Sequence, residues 1–495
     1  MLFCGLDVGT TGVKAVVFDE KGNQHAAAYR AYDLTVASGG TRLLRGAEIW
    51  DRTREVLKEV TAARRDIAAI SAASFGEAFV AMDKGDKIIC DPMLFTDRWG
   101  EEEYAAAEKK TGAAEIAAVC GLPLSPSYSL SRVLYLKERQ PGIYEKIDKI
   151  LLMQDFINFM LSGERAVDYS SACRTMFFDV RSCTWSDDLI TKFGLEKRHY
   201  PEPRPMGSVS RISGKAAGEL GLGGDVKIVL GGHDQPVNAI GSGLREGYAV
   251  CSMGTSECIT PILKGMLPAD FISSRGIPAE PLWAKGKFCA MAYNTCSGLL
   301  VQWFFKTFSD EKEPPYALFE GAQFPREPTG IMVQPYLMGS GTPYMDSGAR
   351  LAVTGIDYGT TKFDLYRAVL EGLVLDQRLN MAALKEVQVT VDHLIAVGGG
   401  SKSRIWRELK ADILQIPVSV LTVKEAGTLG SAILCAAAAG LYGSIEEAAG
   451  AMSRTGETIE PNPKDRDFYA EKFELYRKLR DHVREESAFA LKNGI

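Results

Sequence analysis

Leu6-Asp7-Val8-Gly9-Thr10-Thr11-Gly12-Val13-Lys14 is the stretch on which the fold turns. It closes an apolar run that begins at the N-terminus and opens a second, from Val13 to Phe18, so it reads as strand, tight turn, strand. Gly9 and Gly12 let the backbone turn sharply and present its N–H groups, while Thr10 and Thr11 add hydroxyl donors, which together make a small anion-binding concavity. Asp7, at the end of the first strand, is placed to hold a hydrated metal ion beside that anion. An ordinary hairpin with a satisfied turn aspartate uses the same residue types.

The arrangement recurs in mid-chain. Val250-Cys251-Ser252-Met253-Gly254-Thr255-Ser256, followed by another β-type run over 258–263, repeats the amides and hydroxyls without the aspartate. Two loops of this kind facing one cleft can hold two ends of a polyphosphate. A chain of 495 residues also exceeds what one core serves, since domains run to roughly 100–200 residues. Two related domains are therefore expected, 1–246 and 247–495, each opening on the same hairpin. Between and after the hairpins, helical periodicity over 48–64, 98–111 and 131–139 alternates with β-type runs at 67–73 and 227–230. A helix over 362–384, a strand at 394–397, helices over 403–414 and 428–439 and a charged amphipathic tail over 465–490 follow. Such alternation is an α/β pattern.

The composition narrows the function. With 57 Lys plus Arg against 63 Asp plus Glu, the net charge is −6, which argues against a general nucleic-acid binder because such proteins need a broad basic surface. An anionic ligand must be held locally, by amides, a metal ion or a few cations. The ten cysteines contain no C-x-x-C pair and read as reduced thiols of a cytoplasmic protein. Residues 426–445 carry no charge, but their Ala, Gly, Thr and Ser content fits a buried helix better than a bilayer span.

Two further segments can carry chemistry. In Gly231-Gly232-His233-Asp234-Gln235-Pro236, Asp234 reads as a helix N-cap with Pro236 in the first turn. At a strand-to-helix corner the same carboxylate can also take a proton from a substrate hydroxyl. In Ala396-Val397-Gly398-Gly399-Gly400-Ser401-Lys402-Ser403-Arg404, a strand runs into three glycines and a helix, which lets a ligand approach backbone at a helix N-terminus. The spacing is neither that of a dinucleotide fold nor that of a P-loop.

Taken in order, these segments resemble the FGGY family of carbohydrate kinases. The likeness is collinear over nearly the whole chain: residues 5–14, Gly231-Gly232-His233-Asp234 with residues 239–243 behind it, and residues 252–257. It continues through Tyr366-Arg367-Ala368-Val369-Leu370-Glu371-Gly372 and residues 397–403, with Trp406 and Lys410-Ala411-Asp412 downstream. The resemblance implies an α/β fold of two ribonuclease-H-like domains, of the actin and sugar-kinase (ASKHA) type, with the active site in the cleft between them. It implies ATP and Mg2+ as cofactors and Asp234 as the base that deprotonates the sugar hydroxyl attacking the γ-phosphate. By position, Asp7 and Asp234 serve the metal, Thr10, Thr11 and Lys14 face the phosphates, and Gly254, Thr255 and Ser256 approach them from the other domain. Gly298, Gly399, Gly400, Ser401 and Arg404 complete the nucleotide side.

The sugar pocket of the family corresponds to Ser74-Phe75-Gly76-Glu77 and Phe95-Thr96-Asp97-Arg98, with Asp234 and Gln235. Glu77 and Asp97 are placed to accept hydrogen bonds from hydroxyls; both also read as plain surface charges, and Arg98 as a solvated residue at a helix start. Xylulokinases usually carry Met-His-Gly where this chain has Phe75-Gly76-Glu77. The acceptor expected is a small open-chain sugar, first of all a ketopentose such as xylulose, with L-fuculose, L-ribulose, gluconate or a polyol as alternatives. A chaperone or filament-type nucleotide switch also uses paired Gly-Thr loops, but it needs a polymer-contacting insertion or a peptide-binding domain, and neither is recognisable. The partners expected are the sugar and ATP, with no nucleic acid and no membrane; a homodimer is compatible with the family.

Overall fold

The computed structural model describes residues 1–33, 35–36, 42–64, 66–94, 97, 99–309, 311, 315–423 and 425–493. In the first half, strand Leu2–Val8 returns antiparallel as Gly12–Asp19, with Asp7 opposite Lys14, and Gln24–Ala31 continues antiparallel beyond it. On the other side of Leu2–Val8, Ile67–Ser74 and then Lys227–His233 add in parallel, and Val209–Arg211 closes the edge. The second half repeats this order. Tyr248–Met253 pairs antiparallel with Glu257–Leu263 and parallel with His393–Val397, which in turn pairs parallel with Val418–Leu421. Phe288–Ala290 and Ala292–Asn294 share the third-strand position, while Ala279–Pro281 and Thr455–Ile459 form the edges. Each sheet is thus the three-antiparallel, two-parallel pattern expected of a ribonuclease-H-like domain.

Parallel strands need crossovers that cover the sheet, and helices supply them. Gly46–Ala63 buries Ile49, Thr53, Val56, Leu57 and Val60, one stripe at helical spacing. Its counterpart, Lys362–Glu386, starts at a reciprocal cap between Thr361 and Asp364. The helix expected over 98–111 is shorter, Glu101–Glu108. Gly100, at φ 75°, ends the preceding turn, and a Cβ there would stand 1.9 Å from the Ser131 carbonyl oxygen. The tail forms the helix Arg466–Asn493.

The uncharged segment forms the helix Ala426–Ala438, almost wholly buried. It leaves its own sheet to lie on strands Leu2–Val8 and Ile67–Ser74 and against Asp234–Gly241, the helix at the equivalent place in the first half. Backbone meets backbone there. A Cβ at Gly5, Gly241 or Gly430 would lie 1.8, 1.9 or 2.0 Å from the carbonyl oxygens of Thr428, Ala426 and Val237 respectively. This contact explains the Ala and Gly content; among the described residues no helix is long and apolar enough to cross a membrane. The halves also share side-chain core, since Phe271, Ile272, Ile277 and Ala279 pack in one cluster with Ile116, Ala117, Cys120 and Phe177.

Candidate active site

The register of the parallel strands decides which loops meet. Val8 pairs with Ser74 and Ser74 with His233, so Gly9–Gly12, Phe75-Gly76-Glu77 and Asp234 emerge at one edge of the first sheet. In the second sheet Ser252 pairs with Val397, so Gly254-Thr255-Ser256 and Gly398-Gly399-Gly400-Ser401 emerge together. Ligand sites of α/β sheets lie outside such carboxyl ends.

Both hairpin turns are built as the sequence predicts. Gly9 N donates to the Gly12 carbonyl at 2.9 Å and Gly254 N to that of Ser256 at 2.9 Å, leaving Thr10 half-buried and Thr11, Gly254, Thr255 and Ser256 exposed. Gly298 N donates to the Gly254 carbonyl at 3.0 Å, and a Cβ on Gly298 would stand 2.6 Å from that oxygen, so the second hairpin is seated on the start of helix Gly298–Phe308. Gly398 takes φ 87° against the Met253 backbone, the Ser401 hydroxyl donates back to its carbonyl at 2.7 Å, and Gly400 lies on the Trp406 ring. Gly399 faces open space. Two cations are engaged elsewhere: the Lys14 ammonium pairs with Glu425 at 2.6 Å, and Arg404, 64% exposed, with Glu408 and Glu457.

Asp7 lies against the first turn of Ala426–Ala438, where a Cβ at Gly427 would stand 3.4 Å from its Oδ2. Burial first, then Asp234 and Glu425, push its carboxyl up to about 7 against the pull of Lys14. Two hard carboxylates that repel one another fit Mg2+, which takes few protein oxygens and fills its remaining positions with water and phosphate. Among the described residues no three His, Cys, Asp or Glu side chains form a complete cage.

A pH dependence follows. The Asp7 carboxyl has an ordinary value of 3.8 and about 7 in the fold, so folding favours its neutral form. Its contribution is intact below 3.8 and is lost as pH rises to 7, by about 1.4 kcal/mol per pH unit at most, the free energy of a tenfold change in proton affinity. Asp7→Asn should therefore raise the melting temperature of the ligand-free protein more at pH 8 than at pH 5; equal gains at both would refute the account.

Asp234 departs from its predicted capping role. His233 is the N-cap and Asp234 the first helical residue, with no side-chain cap bond made. The helix leaves its carboxylate free because the chain enters one residue earlier, and Oδ1 instead lies 3.1 Å from His233 Nε2 with the side chain 32% exposed. Pro236 falls in the first turn as expected, and Gln235 is half-buried beside it.

Glu77 is not a surface acid. It is buried at φ 63° and bound to Arg174, whose other arm binds Glu280, so one of its oxygens is already taken. Burial pushes the Glu280 carboxyl up, but Arg174 and His233 outweigh it and hold it below its ordinary value. A Cβ on Gly76 would stand 2.4 Å from Arg174 Nε and 3.1 Å from His233 Cδ2, so only glycine fits there. The first turn of Ser129–Arg139 ties the two stretches of chain together: the Ser129 hydroxyl donates to the Glu77 carbonyl at 2.6 Å, and Arg132 to that of Leu94 at 3.1 Å. Asp97 keeps a buried Oδ2 with no hydrogen-bond partner among the described residues. Arg98, with Phe95 and Thr96, lies outside the described residues.

Arg174, Glu280, Ser129 and Arg132 are not foreseen from the sequence. The one signal is a charge in apolar surroundings, as in Ala279-Glu280-Pro281-Leu282-Trp283, since a charge is rarely buried unless paired.

Comparison with known proteins matches residues 2–241 to the N-terminal domain, and residues 249–439 to the C-terminal domain, of the FGGY family of carbohydrate kinases. The chain is 25% identical over 484 residues to a xylulose kinase of Staphylococcus epidermidis, covering 96% of this chain and 95% of that one. Among solved structures, a ligand-bound xylulose kinase from Lactobacillus acidophilus superposes with a TM-score of 0.90 at 24% identity, over 98% of each chain. A gluconate kinase from the same organism reaches 0.90 at 24% identity, over 97% of this chain and 98% of the other.

Proposed function

Because the chain belongs to the FGGY family of carbohydrate kinases, we propose that it transfers the γ-phosphate of ATP to a hydroxyl of a ketopentose such as xylulose, with Asp234 as the general base. The observation that carries this reading is the Asp234 carboxylate: it stands at the carboxyl end of a parallel strand, partly exposed and unused by its helix, at the edge where Asp7 and the first phosphate loop emerge. Domains 1–246 and 247–495 then flank the cleft. The amides and hydroxyls of Thr10 and Thr11 meet the phosphates from one side and those of Gly254, Thr255 and Ser256 from the other. Lys14 joins them if it exchanges Glu425 for phosphate, and Gly399, Gly400 and Ser401 lie along the adenosine. Mg2+ held by Asp7 and Asp234 neutralises phosphate charge when bound. The chain's own task is alignment of the attacking and leaving oxygens, exclusion of water and removal of one proton.

Asp97 Oδ2, buried and without a hydrogen-bond partner among the described residues, is the better acceptor for a sugar hydroxyl, while Glu77 works through Arg174. The charge of the floor bears on the acceptor: three carboxylates, of Glu77, Glu280 and Asp234, stand around the one guanidinium of Arg174. An aldonic acid would bring a further negative charge to that surface, which favours a neutral ketose over gluconate. ADP release with ATP and Mg2+ across ketopentoses, deoxyketohexoses, polyols and aldonic acids tests this. A ketopentose should give the highest kcat/KM, with gluconate at least about tenfold lower, a discrimination of about 1.4 kcal/mol; a gluconate optimum, or a flat response, would sink the reading.

A further inference from the structure

One chain of side chains runs from the second half of the molecule to the base. The geometry points to Glu280 as a positioning residue that orients the Asp234 carboxylate through the His233 ring, so that the catalytic side of the first half is completed by a strand of the second. This rests on the kinase reading above.

Glu280 sits in the edge strand Ala279–Pro281 with its side chain fully buried. Its Oε2 lies 2.9 Å from His233 Nδ1, and His233 Nε2 lies 3.1 Å from Asp234 Oδ1. An imidazole is rigid, so contacts at both nitrogens fix the plane of the ring, and the ring fixes one oxygen of the base. The other oxygen is left for the acceptor hydroxyl. The backbone of His233 is held independently, its N–H donating to the Ser170 hydroxyl at 2.9 Å, which itself donates to Asp168 at 2.5 Å. What remains free is the ring torsion, and Glu280 settles it.

Glu280 cannot drift, because its Oε1 is bound by Arg174, and Arg174 is bound in turn by Glu77 and stacked over the Tyr128 ring with its guanidinium carbon 5.2 Å from the ring centre. Exposure rises along the chain and becomes substantial at its last member: 0% for the Glu280 side chain, 5% for His233 and 32% for Asp234. Burying such a set costs more than burying apolar groups of equal size, which could fill the space as well or better for stability alone. Its ending on the base gives that cost a use.

The test compares wild type with Glu280→Gln, which keeps the shape and removes the charge. The kcat for the preferred sugar should fall by about tenfold to a hundredfold, the usual penalty for loss of a residue that orients a ligating or reacting group. The KM for ATP should change little; the melting temperature should fall, because the amide leaves the buried Arg174 with one carboxylate partner instead of two, so kcat is compared at a temperature at which both proteins are fully folded. Glu280→Asp should not restore the rate, because the shorter side chain cannot keep both contacts. A second readout needs no substrate. The protein has five histidines, so in histidine-labelled protein the ring nitrogen signals of His233, assigned by their loss in His233→Gln, should shift in Glu280→Gln and in Asp234→Asn. An unchanged kcat in folded Glu280→Gln, a rate loss matched by loss of fold, or His233 signals indifferent to Glu280 would each overturn the proposal. Failure of wild type to phosphorylate any sugar overturns the kinase reading instead, and is distinguishable because the His233 coupling is read without sugar or ATP.

Discussion

Asp234→Asn should reduce sugar-dependent ADP release by about 10²–10⁴-fold, the range over which a positioned general base accelerates proton transfer. The fold should not suffer. The side chain makes no helix-capping bond, is 32% exposed, and leans on the His233 ring. Its charge also raises the carboxyl of Asp7, so the amide relieves a repulsion and should lift the melting temperature of the ligand-free protein slightly. A variant that loses turnover and gains stability is the signature of a group kept for chemistry. Turnover within about threefold of wild type, in a variant that melts normally, would remove Asp234 from the role of base.

Gly430→Val should be the most damaging single change outside the site, costing about 3 kcal/mol or more, since inserted atoms in a close-packed core force backbone shifts. At Gly430 a Cβ would stand 2.0 Å from the Val237 carbonyl oxygen and 2.9 Å from the Val237 side chain, within the contact between Ala426–Ala438 and Asp234–Gly241. The control is Gly450, exposed in helix Ile445–Met452 with nothing within 4 Å of its Cβ position. There alanine should stabilise by about 0.5–1 kcal/mol through helix propensity alone. Denaturant unfolding of the two variants measures both; similar midpoints would mean that the helices part without cost.

The hairpins are legible because their determinants are local. Glycine, hydroxyl and apolar alternation within ten residues define strand, turn and strand, and the same pattern appears at Leu2–Val8 and at Tyr248–Met253. Local chemistry misleads at Asp234, whose neighbours make a good helix start but whose carboxylate answers to His233. Arg174 and Glu280 are not legible, because the ion pair joins positions separated by 106 residues and no local pattern announces it. Gly76 is the instructive middle case. Its place in the segment expected to line the sugar pocket can be read, but the reason for glycine is the Arg174 side chain lying where a Cβ would be.

The crossing of the two central helices has a bearing on how the cleft can work. Asp234 is the first residue of one helix, and Asp7 abuts the first turn of the other. Both carboxylates therefore stand beside a joint in which carbonyl oxygens press against glycines and Val237, Ile240, Leu429 and Ile433 pack around them. Strand Leu2–Val8, which carries Asp7, and strand Lys227–His233, which leads into Asp234, both pair with Ile67–Ser74, so the spacing of the two acids is set within the first sheet. If Asp234 is the base and Asp7 the metal ligand, as proposed above, halves that close on nucleotide and sugar leave the spacing of these two groups unchanged.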